Sequence, residues 1–284
     1  DIGVAMAYIF PGEGSLNYEL CQYGSSRVLF RGPKQPTDGA YLALLGGTES
    51  YGRFVQAPFS ALLGRGMALP AVNLASMNAG PDLYLNEPEL LRIAAQARVA
   101  VVQVMGAQNI SNRYYTVHPR RNDRFLAASP LLKALFPEVD FTEFNFTRHL
   151  LMALQSHSRD RFEVLAEELR AAWVLRMQQV LAALKGRAIL LWLSESAPLH
   201  PERRAVLQRL PILVDAEMVA AVRPHAAQYL EAVYRRDALS KGCSGMAFAP
   251  MEAMAAAELP GPAAHQEIAA KLMPLVASIL ARQH

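Results

Sequence analysis

Three short segments of the sequence combine glycines with hydroxyl, carboxamide or arginine side chains, and each follows an apolar run typical of a buried strand. They are Gly46–Gly52, Asn73–Asp82 and Met105–Arg113. In an open parallel sheet, ligands bind outside the carboxyl ends of the strands, so turns after strands are where chemistry is expected. We therefore predict one ligand pocket built around Gly47–Ser50, Asn78–Gly80 and Gln108–Arg113.

The first segment places Gly47 directly before the hydroxyl residues Thr48 and Ser50, at the predicted start of a helix. The first N–H groups of a helix have no partner within the helix, and they favour an anion or a developing negative charge. A hydroxyl at this position is therefore a candidate for catalysis or ligand contact. The alternative is that Thr48 or Ser50 only caps the helix.

The other two segments supply hydrogen-bond donors. The small residues around Asn78 and Gly80 would let backbone N–H groups approach a ligand. The alternative is an Asn/Gly turn in which Asp82 only caps the element that follows. Carboxamides and an arginine after a buried strand are suitable donors for an oxyanion. The third segment contributes these groups as Gln108, Asn109 and Arg113.

A basic stretch continues from the third segment. It carries His118, Arg120 and Arg121, with Arg113 and Arg124 at its two ends. Such a cluster could hold a phosphate, sulfate or carboxylate group. The alternative is a solvated basic loop that pairs with nearby acids, of which the candidates are Glu138, Asp140 and Glu143.

Neither a metal nor a nucleotide cofactor is indicated. The seven histidines and two cysteines form no HxxxH or CxxC spacing. The glycine-rich fingerprints of dinucleotide-binding and P-loop proteins are also missing. We predict a site without metal or cofactor.

The elements that must position these residues alternate between strand-like and helix-like patterns. Helical periodicity covers Tyr51–Leu63 and Glu87–Ala97. Such alternation predicts right-handed βαβ units and a doubly wound α/β fold with a parallel sheet. The apolar runs that we assign to strands are Arg27–Phe30, Tyr41–Leu45, Ala71–Ala75, Val99–Met105 and Ala188–Leu193.

The pattern changes after the fourth of these runs. Residues 128–185 show helical periodicity and no strand-like run, so we predict a helical insertion there. Its clearest helix is Arg161–Leu184. Ser158 is a plausible cap for that helix and Gly186 a plausible stop. We interpret residues 1–27 as an N-terminal arm and residues 1–284 as a single domain, since no repeat or linker is visible.

The composition of the chain limits which classes of binding partner are expected. The net charge of +3 is too small to indicate a nucleic-acid partner or a membrane surface by bulk electrostatics. No run approaches the ~20 apolar residues of a membrane span. Two distant cysteines, Cys21 and Cys243, and the absence of a signal-peptide pattern favour a cytoplasmic protein. A small-molecule ligand is expected, and a homo-oligomer is compatible with the sequence.

The order of these segments resembles the SGNH (GDSL-type) hydrolase superfamily, whose flavodoxin-like three-layer α/β/α fold carries acyl hydrolases and transferases. Gly46–Gly52 is similar to the first block of that superfamily, Asn73–Gly80 to the second and Gly106–Asn109 to the third. His265–Ala269 resembles the start of its closing helix. The resemblance covers about residues 38–112 and, loosely, 255–280.

The chain departs from this superfamily at its catalytic positions. Thr48 stands where the nucleophilic serine is expected, and Ile110 replaces the aspartate that follows the oxyanion asparagine, here Asn109. The Asp-x-x-His block is missing, with Glu258 and Leu259 in its region.

A finer resemblance is to a group of bacterial proteins known only as a domain of unknown function. It rests on Tyr23–Ser26, Phe30–Pro33, Gly46–Gly52 and Gln103–Phe125. That group supplies no chemistry to carry over.

Three hypotheses follow. The superfamily resemblance implies hydrolysis of an ester or related acyl group, with Thr48 as nucleophile and His265, His118 or His149 as its base. The backbone of Thr48 and Gly80 and the Asn109 side chain would then form the oxyanion hole. The second hypothesis is a catalytically degenerate module that binds an anionic or carbohydrate ligand. The third is an acyl or sulfuryl transferase.

Overall fold

A computed structural model of the chain describes residues 14–200, 207, 210–234 and 243–283. Five parallel strands form its central sheet: β1 (Leu42–Leu45), β2 (Ala71–Asn73), β3 (Val99–Gln103), β6 (Ala188–Ser194) and β7 (Gln228–Val233). Their spatial order is β2-β1-β3-β6-β7. In the register of the sheet, Leu42 of β1 lies opposite Ala71 on one side and Val99 on the other. Two further strands, β4 (Tyr115–His118) and β5 (Arg121–Ala128), form a separate antiparallel hairpin.

Helices cover both faces of the sheet. The longer ones are α2 (Phe59–Met67), α4 (Pro88–Gln96), α6 (Thr147–His157), α7 (Arg159–Ala183) and α10 (Pro262–Ala281). The shorter ones are α1 (Thr48–Tyr51), α3 (Pro81–Asn86), α5 (Pro130–Leu135), α8 (Ala216–Val222) and α9 (Ala253–Ala257), and single 3₁₀ turns lie at Phe141–Glu143, Arg223–His225 and Pro250–Glu252.

Successive residues of a strand point to opposite faces of the sheet, as the two-residue repeat of a strand requires. Leu42 and Leu44 pack in one buried cluster with residues of α2 and α10, whereas Ala43 and Leu45 pack in the other with residues of α4 and α7. Trp173 of α7 is fully buried in that second cluster, and its Nε1 donates to the Met105 carbonyl at 2.8 Å. The predicted three-layer α/β/α fold with a parallel sheet is confirmed.

Four of the five predicted strands are present. The exception is Arg27–Phe30, which was wrongly predicted as a sheet strand. Phe30 instead exchanges two backbone hydrogen bonds with Cys21, of 2.9 and 3.0 Å, in an isolated antiparallel bridge. The hairpin β4–β5 and the edge strand β7 were not predicted.

The prediction of one continuous helix over Tyr51–Leu63 is also wrong, because the structure has two helices there, α1 and α2, with a non-helical segment between them. Gly52 adopts a φ of +73°, and Pro58 precedes the first residue of α2. The buried Arg31 side chain donates to the carbonyls of Tyr51, Gly52, Val55 and Gln56, so these carbonyls bond to a guanidinium and not to a helical ladder.

The segment between β3 and β6 holds the hairpin followed by α5, α6 and α7, so its part after residue 128 is helical as expected. Ser158 caps α7 by accepting from the Arg161 N–H at 3.3 Å, and Gly186 beyond its end has a φ of +72°. The predicted C-terminal helix from Pro262 is α10. Residues 1–13 of the predicted arm lie outside the described residues. Among the described helices, none has an apolar stretch long enough to cross a membrane.

Candidate functional site

A cavity of about 530 Å³ lies at the carboxyl ends of β1, β3 and β6. The three predicted segments meet in its wall, where they contribute Gly47, Thr48, Asn78, Gln108 and Asn109. Further parts of the wall come from the ends of β3 and β6, from the start of α6, from residues 210–212 and from Ala255, Glu258 and Leu259. The geometry of parallel strands therefore brings the polar turns together, as expected for such a sheet.

Thr48 is the first residue of α1, and its hydroxyl is bonded to Asn78. Thr48 Oγ1 accepts from the Asn78 backbone N–H at 3.0 Å and lies 3.3 Å from Asn78 Oδ1, to which it can donate. Asn78 Nδ2 donates in turn to Asp123 Oδ2 at 3.2 Å. A carboxamide cannot take up a proton as a histidine does, so this chain of bonds orients the hydroxyl without activating it.

The donors predicted for an oxyanion hole are largely engaged within the protein. The Gly80 N–H donates to Asn122 Oδ1 at 3.0 Å, and Asn109 Nδ2 donates to the Asn78 carbonyl at 2.7 Å. Asn109 Oδ1 accepts from Thr147 Oγ1 at 2.6 Å. These bonds hold the cavity wall together. The Gly80 N–H is not available to a ligand, whereas the Asn109 carboxamide has a second N–H besides the one that bonds to Asn78.

Of the three histidines considered as a base for Thr48, only His149 lines the cavity. It is exposed at the start of α6, and its ring packs edge-on against Phe144 at 5.0 Å. His118 lies in β4, where its Nδ1 accepts from the N–H groups of Arg120 and Arg121, and burial lowers its pKa.

His265 is in the first turn of α10, packs against the start of α2 and is not part of the cavity wall. It is fully buried, its Nδ1 accepts from the Phe59 N–H at 3.0 Å, and the two rings stack at 5.6 Å. Burial lowers the pKa of His265 to about 3, so its ring is neutral at neutral pH. As placed, it supports the start of α2 and does not contact Thr48.

The arginines of the predicted basic cluster lie outside the cavity wall. Arg113 pairs with Glu168 at 2.6 Å and Arg120 with Glu87 at 2.7 Å, while the Arg124 guanidinium lies 4.8 Å from the centre of the Phe146 ring. Arg121, in β5, also lies outside the wall. The acids proposed as their partners do not take that role, since Glu138 pairs with Arg161. The arginines that do line the cavity are Arg53 and Arg148.

Gln103 organises the floor of the site, although we had not predicted it as a site residue. It ends β3 and is buried, and its Oε1 accepts from the N–H groups of Gly47 at 3.0 Å and Ser50 at 3.3 Å. Its Nε2 donates to Glu49 Oε2 at 2.7 Å. The signal for it was the single polar residue within the apolar run Val99–Met105.

Ser50 lies next to Gln103 and has a structural role. It is almost completely buried, and its carbonyl accepts from Asn73 Nδ2 at 3.1 Å. Its backbone therefore joins β2 and β3 at their carboxyl ends, and the residue is not part of the cavity wall.

Acidic side chains that had not been predicted as site residues also line the cavity. Burial raises the pKa of the Glu49 carboxyl, and it also raises the pKa of Asp123, against the opposing effect of the Asn78 hydrogen bond. Glu258, beside Leu259, lies in the wall as well. In the described part of the chain, no group of three histidine, cysteine, aspartate or glutamate residues is arranged to hold a metal ion.

Gln108 is the wall residue whose side chain lacks a partner. It is 9% exposed, and its Oε1, which lies against Gly106, has no hydrogen-bond donor in the described structure. Buried polar atoms are normally paired. This oxygen has almost no accessible surface, so it is enclosed against Gly106 and does not face the cavity.

Gly80 is expected to tolerate no side chain, because a Cβ there would lie 2.0 Å from the Asn109 carbonyl oxygen. Backbone would have to move, so we expect Gly80→Ala to lower the free energy of unfolding by about 1–3 kcal/mol. Urea unfolding measures this, with Gly39→Ala as the control because nothing lies within 4 Å of its added Cβ. Equal stability of the two variants would contradict the close approach of the two loops.

The sequence matches the family described as Domain of unknown function (DUF6473) over residues 6–280. No curated protein matches it. Among solved structures, it is similar to a carbohydrate esterase family 2 enzyme with a carbohydrate-binding domain from Corynascus thermopiles (Myceliophthora fergusii). The identity is 10%, the alignment covers 88% of this chain and 69% of that chain, and the TM-score is 0.42.

Proposed function

We propose, for a chain that belongs to the family Domain of unknown function (DUF6473), that its cavity binds a hydroxyl-rich small molecule of the carbohydrate class. The observation that carries the proposal is the mixture of groups in one wall. Carboxyl and carboxamide groups stand beside apolar side chains, namely Glu49, Asp123, Gln103 and Gln108 beside Met105, Phe146 and Leu193.

This mixture suits a sugar because a hydroxyl group both donates and accepts. Carboxylates accept hydrogen bonds and carboxamides do both, so the polar wall complements several hydroxyls at once. The apolar side chains can cover the C–H face of a ring, as in ligand sites that combine apolar area with a few polar groups. Engagement of Thr48 by Asn78 favours binding without turnover.

The direct test is calorimetric titration with a panel of neutral and acidic monosaccharides and short oligosaccharides. We expect Glu49→Gln and Asp123→Asn each to weaken binding by about tenfold, because each replaces one acceptor oxygen of a wall carboxyl group with an NH2 donor. Glu143→Gln is the control, since Glu143 is exposed and lies outside the cavity. Absence of binding across the whole panel, or equal effects of all three substitutions, would overturn the proposal.

A second candidate, hydrolysis of an acyl ester, is supported by Thr48 and His149 lining the same cavity. In this reaction Thr48 Oγ1 attacks the acyl carbon while a base on the wall takes its proton, and the ester C–O bond breaks as the alcohol leaves with that proton. Water then attacks the acyl-threonine, which releases the acid and restores the Thr48 hydroxyl. The test is release of acid from short and medium esters by wild type, Thr48→Ala and Asn109→Ala. Turnover that falls by about 100-fold in Thr48→Ala would replace the binding proposal with this one, and background rates in all three proteins would exclude simple ester hydrolysis.

A further inference from the structure

Exposed apolar side chains border the opening of the cavity. Among the described residues, three large apolar side chains line its wall and are nevertheless open to solvent: Phe146 is 44% exposed, Met152 45% and Leu210 37%. We call these three residues the apolar rim. Arg148 and His149 line the wall beside them and are exposed, so their polar ends can stay in water next to an apolar ligand. Large apolar side chains exposed at a cavity mark a surface that is covered when a partner binds.

The apolar rim is attached to the sheet and to the hairpin. The Leu210 carbonyl accepts from Ser194 Oγ at 2.6 Å, at the end of β6. Phe146 forms an isolated antiparallel bridge with Arg124, whose guanidinium lies 4.8 Å from the centre of the Phe146 ring. Because these contacts hold the rim in place before a ligand arrives, binding there costs little ordering entropy.

Two methionines next to the cavity extend this apolar surface. Met251 and Met254 are 92% and 86% exposed, and they lie just before α9 and within it. Met251 is four residues before Ala255 and Met254 is four residues before Glu258, and both of these later residues line the cavity. Residues four apart share one side of a helix, so the methionines lie on the side that borders the cavity. Flexible methionine side chains suit apolar ligands of irregular shape.

The polar groups of the wall lie deeper than the rim. Glu49 and Gln103 are only 8% and 3% exposed, so the buried floor is polar and the exposed rim is apolar. A hexose has about 12 non-hydrogen atoms and, even at the volume of a water molecule for each, fills about 360 Å³. The cavity of about 530 Å³ therefore extends beyond one sugar ring.

We propose that the cavity binds an amphiphilic glycoside, with its sugar on the polar floor and an alkyl chain from its anomeric oxygen along the apolar rim. This inference rests on the proposed function and narrows its ligand to sugars that carry an apolar substituent. A second sugar ring could also fill the outer part of the cavity. Its hydroxyls would then meet the side chains of Met152 and Leu210, which offer no hydrogen bond to replace those with water.

The experiment titrates the full chain by calorimetry with the methyl and octyl β-glycosides of glucose, galactose and mannose. The octyl compounds are kept below the concentration at which they form micelles. We expect the octyl glycoside to bind about 100-fold more tightly than the methyl glycoside of the same sugar, because each buried methylene contributes about fourfold and only part of the chain is covered.

Variants of the rim test where the alkyl chain lies. Met152→Gln and Leu210→Gln should each lower the ratio of octyl to methyl affinity by about fivefold, because a polar side chain replaces apolar surface. The matched control is Leu175→Gln, since Leu175 is an exposed leucine of α7 outside the cavity wall. A ratio that falls equally in this control would overturn the assignment to the rim.

The remaining outcomes separate this inference from the proposal on which it rests. Equal binding of methyl and octyl glycosides to wild type would overturn the inference and leave the sugar-binding cavity standing. Maltose that binds more tightly than octyl glucoside would assign the outer part to a second sugar ring and also overturn it. Wild-type dimers in sedimentation velocity that Met152→Gln abolishes would make the rim an interface between copies of the chain. If neither the glycosides nor any sugar of the wider panel binds, the proposed function fails together with the inference.

Discussion

Asn122→Ala is expected to lower the free energy of unfolding by about 3–4 kcal/mol. Asn122 is 1% exposed, and its Oδ1 accepts from the N–H groups of Gly80 at 3.0 Å and Leu83 at 2.9 Å. Alanine would leave both buried donors unpaired, and each unpaired buried donor costs about 1–3 kcal/mol. The Asn122 Nδ2 bonds to the carbonyls of His118 and Pro119 would also be lost.

The measurement is urea unfolding followed by circular dichroism. Asn122→Asp is the conservative variant, because it keeps an acceptor for the two N–H groups at the start of α3, although its second oxygen then faces the carbonyls of His118 and Pro119. We expect it to lie between wild type and Asn122→Ala. Asn145→Ala is the control, since Asn145 is exposed. If Asn122→Ala were as stable as Asn145→Ala, the hairpin would not hold the second turn of the site as the structure indicates.

The second large effect concerns acid. The pKa of His265 falls from about 6.5 in an unfolded chain to about 3 in the folded protein, because burial penalises the charged ring. A depressed pKa means that the unfolded state takes up the proton first as the pH falls. His265 therefore costs no stability above about pH 6.5, and stability is lost progressively between about pH 6.5 and pH 3.

The size of this loss is about 2 kcal/mol between pH 7 and pH 5, because each pH unit below the unfolded pKa contributes about 1.4 kcal/mol. His265→Gln removes the titration while its side-chain oxygen can still accept from the Phe59 N–H. We expect the variant to lose less stability than wild type over this range, by that amount, when urea unfolding is followed at several pH values. Other titrating groups are common to both proteins and cancel.

His225→Gln serves as the control for loss of a histidine, since His225 is exposed in the 3₁₀ turn Arg223–His225. Its stability should follow the wild-type dependence on pH. Parallel curves for wild type and His265→Gln would show that His265 is not buried in its neutral form.

Strands buried on both faces could be predicted from the sequence because they are continuous apolar runs. Val99–Gln103 and Ala188–Ser194 are of this kind. The edge strand β7 could not be predicted in this way, because it is only partly buried. Its sequence, QYLEAV, mixes polar and apolar residues and is not a continuous apolar run. The hairpin was missed for a related reason. The charged residues near its turn indicate a loop when they are considered without their partners, which are Glu87 for Arg120 and Asn78 for Asp123.

The position of the site could be predicted, whereas its hydrogen bonds could not. Strand ends determine which turns meet, so Thr48, Asn78 and Asn109 come together from topology alone. Which donor meets which acceptor depends on distances of a few tenths of an ångström between segments far apart in sequence. The turns that the resemblance to a hydrolase superfamily indicated lie together in one cavity wall, while the bonding of the Gly80 N–H to Asn122 could be seen only in three dimensions.

The cavity wall is drawn from residues between 47 and 259, and this spread has a consequence for the order of folding. Contacts between distant residues pay the entropy of closing long loops before they contribute stability, so they form late. The hairpin β4–β5 and the helices α6 and α7 are built from local contacts and can form early. During synthesis, residues 255–259 leave the ribosome after the hairpin and after α6 and α7. A growing chain can therefore form these helices before its cavity wall is complete and before it can bind a ligand.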